Sequence, residues 1–260
     1  LFCHIIYDKV IYLSHMTIRG WKTQFKEIRK EFGYLEKDDL ISAKKLDSLL
    51  KGKNSKNQFQ HMIKGKTVFI IGAGPSLTRS LKYIKKSKNV IKIVADGAVR
   101  ALLEKNIKPD ILVTDLDGDL KSIEKIGKTK IPIIAHAHGD NYEKLEIVKK
   151  FRNVVGSTQT KKIGKVENFG GFTDGDRCVF LAEYFNASKI VLIGMDFGQK
   201  IGKYSKHRIV DREIKIKKLK FGKKIVEWIG TKSKADLFST NRIKGYKTIR
   251  MVDLECIENF

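Results

Sequence analysis

Residues 110–119, Asp-Ile-Leu-Val-Thr-Asp-Leu-Asp-Gly-Asp, hold four aspartates and no lysine or arginine. The chain around them carries 53 basic and 29 acidic residues, a formal net charge of +24. Crowded carboxylates repel one another and, once desolvated, raise each other's pKa. A divalent cation removes that conflict. Asp115 and Asp117 are two residues apart, which at an extended strand end points them the same way. No His or Cys lies among them, so the ligand set suits a hard ion, Mg²⁺ or Mn²⁺, rather than Zn²⁺. The competing reading is a solvated turn in which Asp119 caps the next helix.

Four other groups can do chemistry. Gly72-Ala73-Gly74-Pro75-Ser76 pairs two glycines that permit a sharp turn and close approach to a ligand with a proline suited to a first helical turn. Ser76 adds a hydroxyl, and a helix start there favours phosphate. The third glycine of a dinucleotide fingerprint is Leu77, so a plain tight connection stays open. Asp96-Gly97 offers a metal ligand, a partner for an NAD ribose, or an N-cap. In His136-Ala137-His138-Gly139-Asp140-Asn141, His138 suits phosphate and Asp140 suits a metal-bound water, while Asn141 or Asp140 equally suits a helix cap. Thr173-Asp174-Gly175-Asp176-Arg177 follows a Gly170-Gly171 hinge and opens a helix. Arg177 there can clamp phosphate bidentately, or pair with Asp176 on a capped helix.

These groups share one placement. Apolar runs occur at 67–71, 90–95, 110–114, 131–135, 153–156 and 189–194, and each chemical group follows one of them or opens a helix between them. Helix-like stretches at 75–86, 97–106, 119–126, 141–150 and 174–186 fill the intervals. Such alternation predicts an α/β fold: an open, doubly wound, Rossmann-like and mostly parallel sheet, whose ligands sit outside the carboxyl ends of the strands. Asp196, in Gly-Met-Asp-Phe-Gly at 194–198, joins the same rim.

Residues 1–60 read as an N-terminal helical extension, 61–200 as the catalytic domain and 201–260 as a basic helical and strand segment packing on the core. Trp21, Phe25, Ile28 and Phe32 make one helix face, Gly33 ends that helix, and Asp38 is expected to cap the next. Lys51–Lys56 reads as a linker, 211–230 as a helix and 247–252 as a last strand. Met16 reads as a natural start, which makes 1–15 an upstream segment. Three scattered cysteines argue against a disulfide framework and fit a reducing cytosol. No apolar run reaches the roughly 20 residues of a membrane span. The positive charge is spread along the chain, with eleven Lys/Arg concentrated in 200–224; solvated lysines, nucleic-acid binding and steering of a small polyanion are the three readings of it. The acidic rim argues against nucleic acid, and the oligomeric state stays open.

Taken together, Gly-Ala-Gly-Pro-Ser-Leu at 72–77, Ala-Asp-Gly-Ala at 95–98, Thr-Asp-Leu-Asp-Gly-Asp at 114–119, His-Ala-His-Gly-Asp-Asn at 136–141, Gly-Gly-Phe-Thr-Asp-Gly-Asp-Arg at 170–177 and Gly-Met-Asp-Phe-Gly at 194–198 resemble the archaeal 6-hydroxymethyl-7,8-dihydropterin pyrophosphokinase family. Residues 95–119 also resemble the core of thiamine pyrophosphokinases, which carry serine where this chain has Gly118. The resemblance implies a cytoplasmic Mg²⁺-dependent transferase, with Mn²⁺ able to substitute, that moves pyrophosphate from ATP to the hydroxymethyl dihydropterin and releases AMP, in methanopterin- or folate-type biosynthesis. It implies metal ligation by Asp115 and Asp117 with Asp96 beside them, phosphate contact by Gly72, Gly74, Pro75, Ser76 and Gly97, and phosphate or pterin contact by Thr173, Asp174, Gly175, Asp176 and Arg177. Asp174 or Asp176 would accept from the amino-pyrimidine edge, and His138 and Asp140 are the candidate general bases. Lysines of 200–224 would close over the triphosphate or simply be solvated. Related bacterial domains resemble flagellin glycosyltransferases, so a nucleotide-sugar transferase is the alternative activity; a dehydrogenase would use Gly72, Gly74 and Asp96 but leaves the acids of 110–119 unexplained.

Overall fold

A computed structural model describes residues 18–50, 56–205 and 211–260. The 1–15 segment, most of the 51–56 linker and part of the basic 200–224 stretch lie outside the described residues.

Eight strands form one sheet in the order β5-β4-β3-β2-β1-β6-β7-β8, every neighbour parallel. They are β1 (Thr67–Ile71), β2 (Ile91–Ala95), β3 (Ile111–Thr114), β4 (Ile133–Ala137), β5 (Val154–Thr158), β6 (Lys189–Ile193), β7 (Asp236–Ser239) and β8 (Lys247–Thr248). Near-continuous Val and Ile runs make these strands because both faces of a parallel sheet are covered. Along β1, Phe69 and Ile71 pack on one face and Val68 and Ile70 on the other.

From β1 to β5 the chain steps outward through α4 (Leu77–Lys86), α5 (Ala98–Glu104), α6 (Leu120–Gly127) and a 3-10 segment, Glu143–Lys150, all on the Phe69 face and joined there by α2 (Glu36–Leu49). It then returns across the other face through α7 (Asp174–Tyr184), which leads to β6 beside β1. α1 (Trp21–Phe32), α3 (Asn57–Ile63) and α8 (Arg212–Gly230) share that second face. The winding direction therefore reverses between β1 and β6, and the loops after them open a crevice at the carboxyl edge. No helix among the described residues is long and apolar enough to cross a membrane.

Local expectations fail in four places. The second helix starts at Glu36 after an extended Leu35, so Asp38 lies inside its first turn, where an acid favours the helix dipole, instead of capping it. Residues 143–150 wind as 3-10 turns. β4 runs on to Ala137, which puts His136 inside the strand and out of solvent. The 247–252 run pairs only through Lys247 and Thr248 before turning into 3-10 geometry at Met251, while the short β7 carried no sequence signal of its own.

Candidate active site at the carboxyl edge of the sheet

One oxygen from each of Asp96, Asp115 and Asp117 lies within 4.8 Å of the others. The backbone route to this cluster differs from the extended strand end expected of it. β3 stops at Thr114, and Leu116 takes φ +67°, a left-handed conformation that costs an L side chain about 1–2 kcal/mol. The Leu116 side chain is fully buried in the core, and its N–H donates to Thr114 Oγ1 at 2.8 Å. That anchored turn, together with an Asp117 N–H bond to Asp115 Oδ1 at 3.2 Å, sets both carboxylates toward one point. Thr114 also donates its hydroxyl to Asp96 Oδ1 at 2.5 Å. Gly118 packs so closely on Asp96 that a Cβ there would collide with the carboxylate, which accounts for glycine in place of serine.

Burial, then the charges of Asp115 and Asp117, push the Asp96 carboxyl well above the usual carboxylate range. Asp174, at the first position of α7, is pushed well above it too, by burial and then by Asp115 and Asp96. Its Oδ1 is buried without a hydrogen-bond partner. Four acids thus converge on one corner of the cleft. The all-oxygen set fits a hard divalent ion, held by Asp96, Asp115 and Asp117.

The acids border a cleft of about 960 Å³ lined by Gly72–Pro75 after β1, Gly97, Thr173–Gly175 at the start of α7, Gly194–Phe197 after β6, and Lys200, Lys215 and Lys218. The glycines are required by backbone packing: a Cβ on Gly72 would come within 2.6 Å of Met195 Sδ, and one on Gly74 would overlap Asp196. The basic C-terminal helix α8 therefore does wall the crevice, and the segment around Gly202 lies against Ala73 and Gly74.

Several residues expected to touch ligand do structural work instead. Ser76 is buried; its N–H donates to Asp196 Oδ2 at 3.0 Å, and Asn241 reaches Asp196 Oδ1 at 3.2 Å. Asp176 is fully buried and accepts the N–H groups of Phe172 and Thr173 and the Thr173 hydroxyl, so the helix-cap reading holds and its carboxylate is withdrawn from the cleft. Arg177 directs its terminal nitrogens to the carbonyls of Gly170, Gly171 and Phe172, which replaces the phosphate clamp by a tie on this loop. Asp119 accepts from Ser122 and caps α6.

A second cavity of about 670 Å³ adjoins the cleft and shares Asp115, Phe172 and Lys218 with it. His138 and Asp140 line it. His138 Nδ1 accepts the Asp140 N–H at 3.2 Å, so in the neutral ring the proton sits on Nε2, which faces Asp115 Oδ2 at 3.7 Å. That separation exceeds a hydrogen bond, so the ring stands beside the Asp115 carboxylate. Asn141 completes the turn by bonding the carbonyls of Asp115 and His136. Tyr34, Asp39 and Gln159 also line this cavity and escaped the sequence analysis. One signal was present: Asp39 stands with Ser42, Ala43 and Leu46 on the buried stripe of α2, an acid where periodicity calls for an apolar residue.

A family model described as 6-hydroxymethylpterin diphosphokinase MptE-like matches residues 42–202. The chain is 43% identical over 235 residues to a 6-hydroxymethyl-7,8-dihydropterin pyrophosphokinase of Methanocaldococcus jannaschii, covering 84% of this chain and 97% of that protein. It is 43% identical over 224 residues to the protein so named in Pyrococcus furiosus, covering 84% and 96%. Among solved structures, the MAf glycosyltransferase from Magnetospirillum magneticum AMB-1 superposes with a TM-score of 0.56 at 16% identity, over 87% of this chain and 41% of that one, a likeness of fold.

Proposed function

The chain belongs to the 6-hydroxymethylpterin diphosphokinase MptE-like family, and from that membership we infer that it is a 6-hydroxymethyl-7,8-dihydropterin pyrophosphokinase. The substrates are ATP and the dihydropterin alcohol. The alcohol oxygen attacks the β-phosphorus, the bond from that phosphorus to the α-phosphate oxygen breaks, and AMP leaves. The observation that carries the site assignment is the Asp96–Asp115–Asp117 cluster at the mouth of the crevice between β1 and β6, in a chain of net charge +24.

Those three carboxylates would hold Mg²⁺, which supplies neutralisation of the charge on the β- and γ-phosphates. Asp174 adds a fourth carboxyl group to the corner. The remaining work is positioning, because phosphoryl transfer asks for little covalent help from protein. Gly72–Pro75 and the first turn of α7 at Thr173–Gly175 line the cleft, and Lys200, Lys215 and Lys218 bring positive charge to its lining. His138, beside Asp115, and Asp140, exposed on the outer rim, are the candidate proton acceptors. The reaction is assigned to the cytosol, which supplies ATP and keeps Cys178 and Cys256 as thiols.

Purified protein incubated with ATP, Mg²⁺ and the dihydropterin alcohol should release AMP in step with pterin diphosphate, read by phosphorus NMR. Release of ADP would refute transfer of the β,γ-unit, and turnover undiminished by EDTA would remove the metal.

A further inference from the structure

The two cavities that meet at Asp115 differ in lining. The cleft at β1 and β6 holds the three carboxylates grouped as a cation site, together with Lys200, Lys215 and Lys218. The second cavity is lined by Asp38, Asp39, Asp115 and Asp140, with Lys218 at the shared boundary and Arg177 tied to carbonyls at its back. A triphosphate entering the second cavity would meet Asp38, Asp39 and Asp140, carboxylates outside the cluster that suits a cation. A flat, uncharged heteroaromatic ring rich in N–H donors would meet acceptors.

Its inner surface suits such a ring. Tyr34 and Phe172 present aromatic groups with centroids 6.4 Å apart, inclined at 48°. Asp39 is 3% exposed, and its oxygens accept from Gly139 N at 2.9 Å and Gln159 Nε2 at 2.8 Å. Each oxygen keeps a second lone pair, so the carboxylate can take two further N–H bonds side by side. Tyr34 and Asp39 both come from the segment that precedes the sheet.

We propose that the second cavity is the acceptor subsite: the pterin ring lies against Tyr34 and Phe172, its amino-pyrimidine N–H pair donates to Asp39, and its hydroxymethyl arm points at Asp115, where the phosphates arrive from the cleft. The proposal rests on the pyrophosphokinase reading and adds the position of the acceptor. Asp39 is then a specificity residue for the ring edge.

Equilibrium titration separates the two subsites. The probes are 6-hydroxymethylpterin, followed by its own fluorescence, and MgATP, followed by calorimetry. Asp39→Asn keeps the shape and removes the charge; Tyr34→Ala removes one ring from a connection outside any helix or strand. Both variants should weaken pterin binding, Asp39→Asn by at least about tenfold, and leave MgATP binding within about twofold of wild type. Should Asp39→Asn fail to fold, Tyr34→Ala decides. Unchanged pterin affinity in the folded variants overturns the subsite while leaving the activity intact. A wild-type protein that binds MgATP and no pterin overturns the activity reading, and the subsite with it.

Discussion

Aspartates at the carboxyl edge of this sheet fall into two regions with opposite fates. At β6 and the start of α7, Asp176 and Asp196 each accept two or more N–H or O–H donors from fixed neighbours and hold loops in place. At β2 and β3, Asp96 accepts the Thr114 hydroxyl and faces the carboxylates of Asp115 and Asp117. Burial raises the carboxyl of Asp176 as well, but its donors and Arg177 pull it back, whereas at Asp96 the neighbouring acids add to the rise. The lesson is that residue type does not separate a structural acid from a reactive one. The groups around it do: fixed donors hold a structural acid in place, and carboxylates gathered oxygen to oxygen make a corner that suits a cation.

The contrast can be broken from either side. The largest effect belongs to the acid cluster. Asp117→Asn should lower kcat by on the order of 10³. It also removes one repelling charge, so the metal-free protein should melt no lower than wild type and up to about 2–4 °C higher. A stopped assay together with differential scanning calorimetry checks both, and a destabilised variant with normal kcat would reverse the assignment. In the donor-rich region the order inverts. Asp176→Ala strands the N–H groups of Phe172 and Thr173 and should cost about 2–4 kcal/mol of stability in denaturant titration. Its kcat per folded molecule should fall far less than that of Asp117→Asn; an equal fall would place Asp176 in the chemistry.

Much of this was legible in the residues. Strand and helix order, the reversal of winding and the acid cluster followed from apolar runs and from four aspartates in a basic chain. The illegible part has one physical origin: a linear motif fixes which residue sits on the rim and leaves its hydrogen-bond partners unstated. Ser76 and Arg177 looked like phosphate ligands until Asp196 and three carbonyls claimed them. Asp115 and Asp117 face together as expected, but through a left-handed Leu116 that no period-two pattern contains. The acceptor wall was hidden more deeply, because Tyr34 sits in the connection before α2, and Asp39, on α2, lies 100 residues in sequence from its partner Gly139.

The smallest effect sharpens the comparison through pH. Asp96 and Asp174 have folded-state pKa values raised well above the ordinary 3.8, so over the interval above that value the native protein holds protons that the unfolded chain has released. Their contribution to stability is therefore greatest in acid and is lost as pH rises through the raised values. His136 acts in the opposite direction. Burial, then Arg177, keeps its ring neutral and its pKa well below 6.5, so stability is lost as pH falls below 6.5, where the unfolded histidine takes up a proton. Added Mg²⁺ competes with protons at the acid corner alone. The rise in melting temperature that it produces should grow from pH 5 to pH 8, remain on the order of a few degrees at saturating ion, and vanish in Asp117→Asn, while the acid-side loss from His136 persists in both proteins. A magnesium-induced rise that is flat across that range, or undiminished in Asp117→Asn, would mean that the ion binds elsewhere and that the carboxylates settle their repulsion by retaining protons.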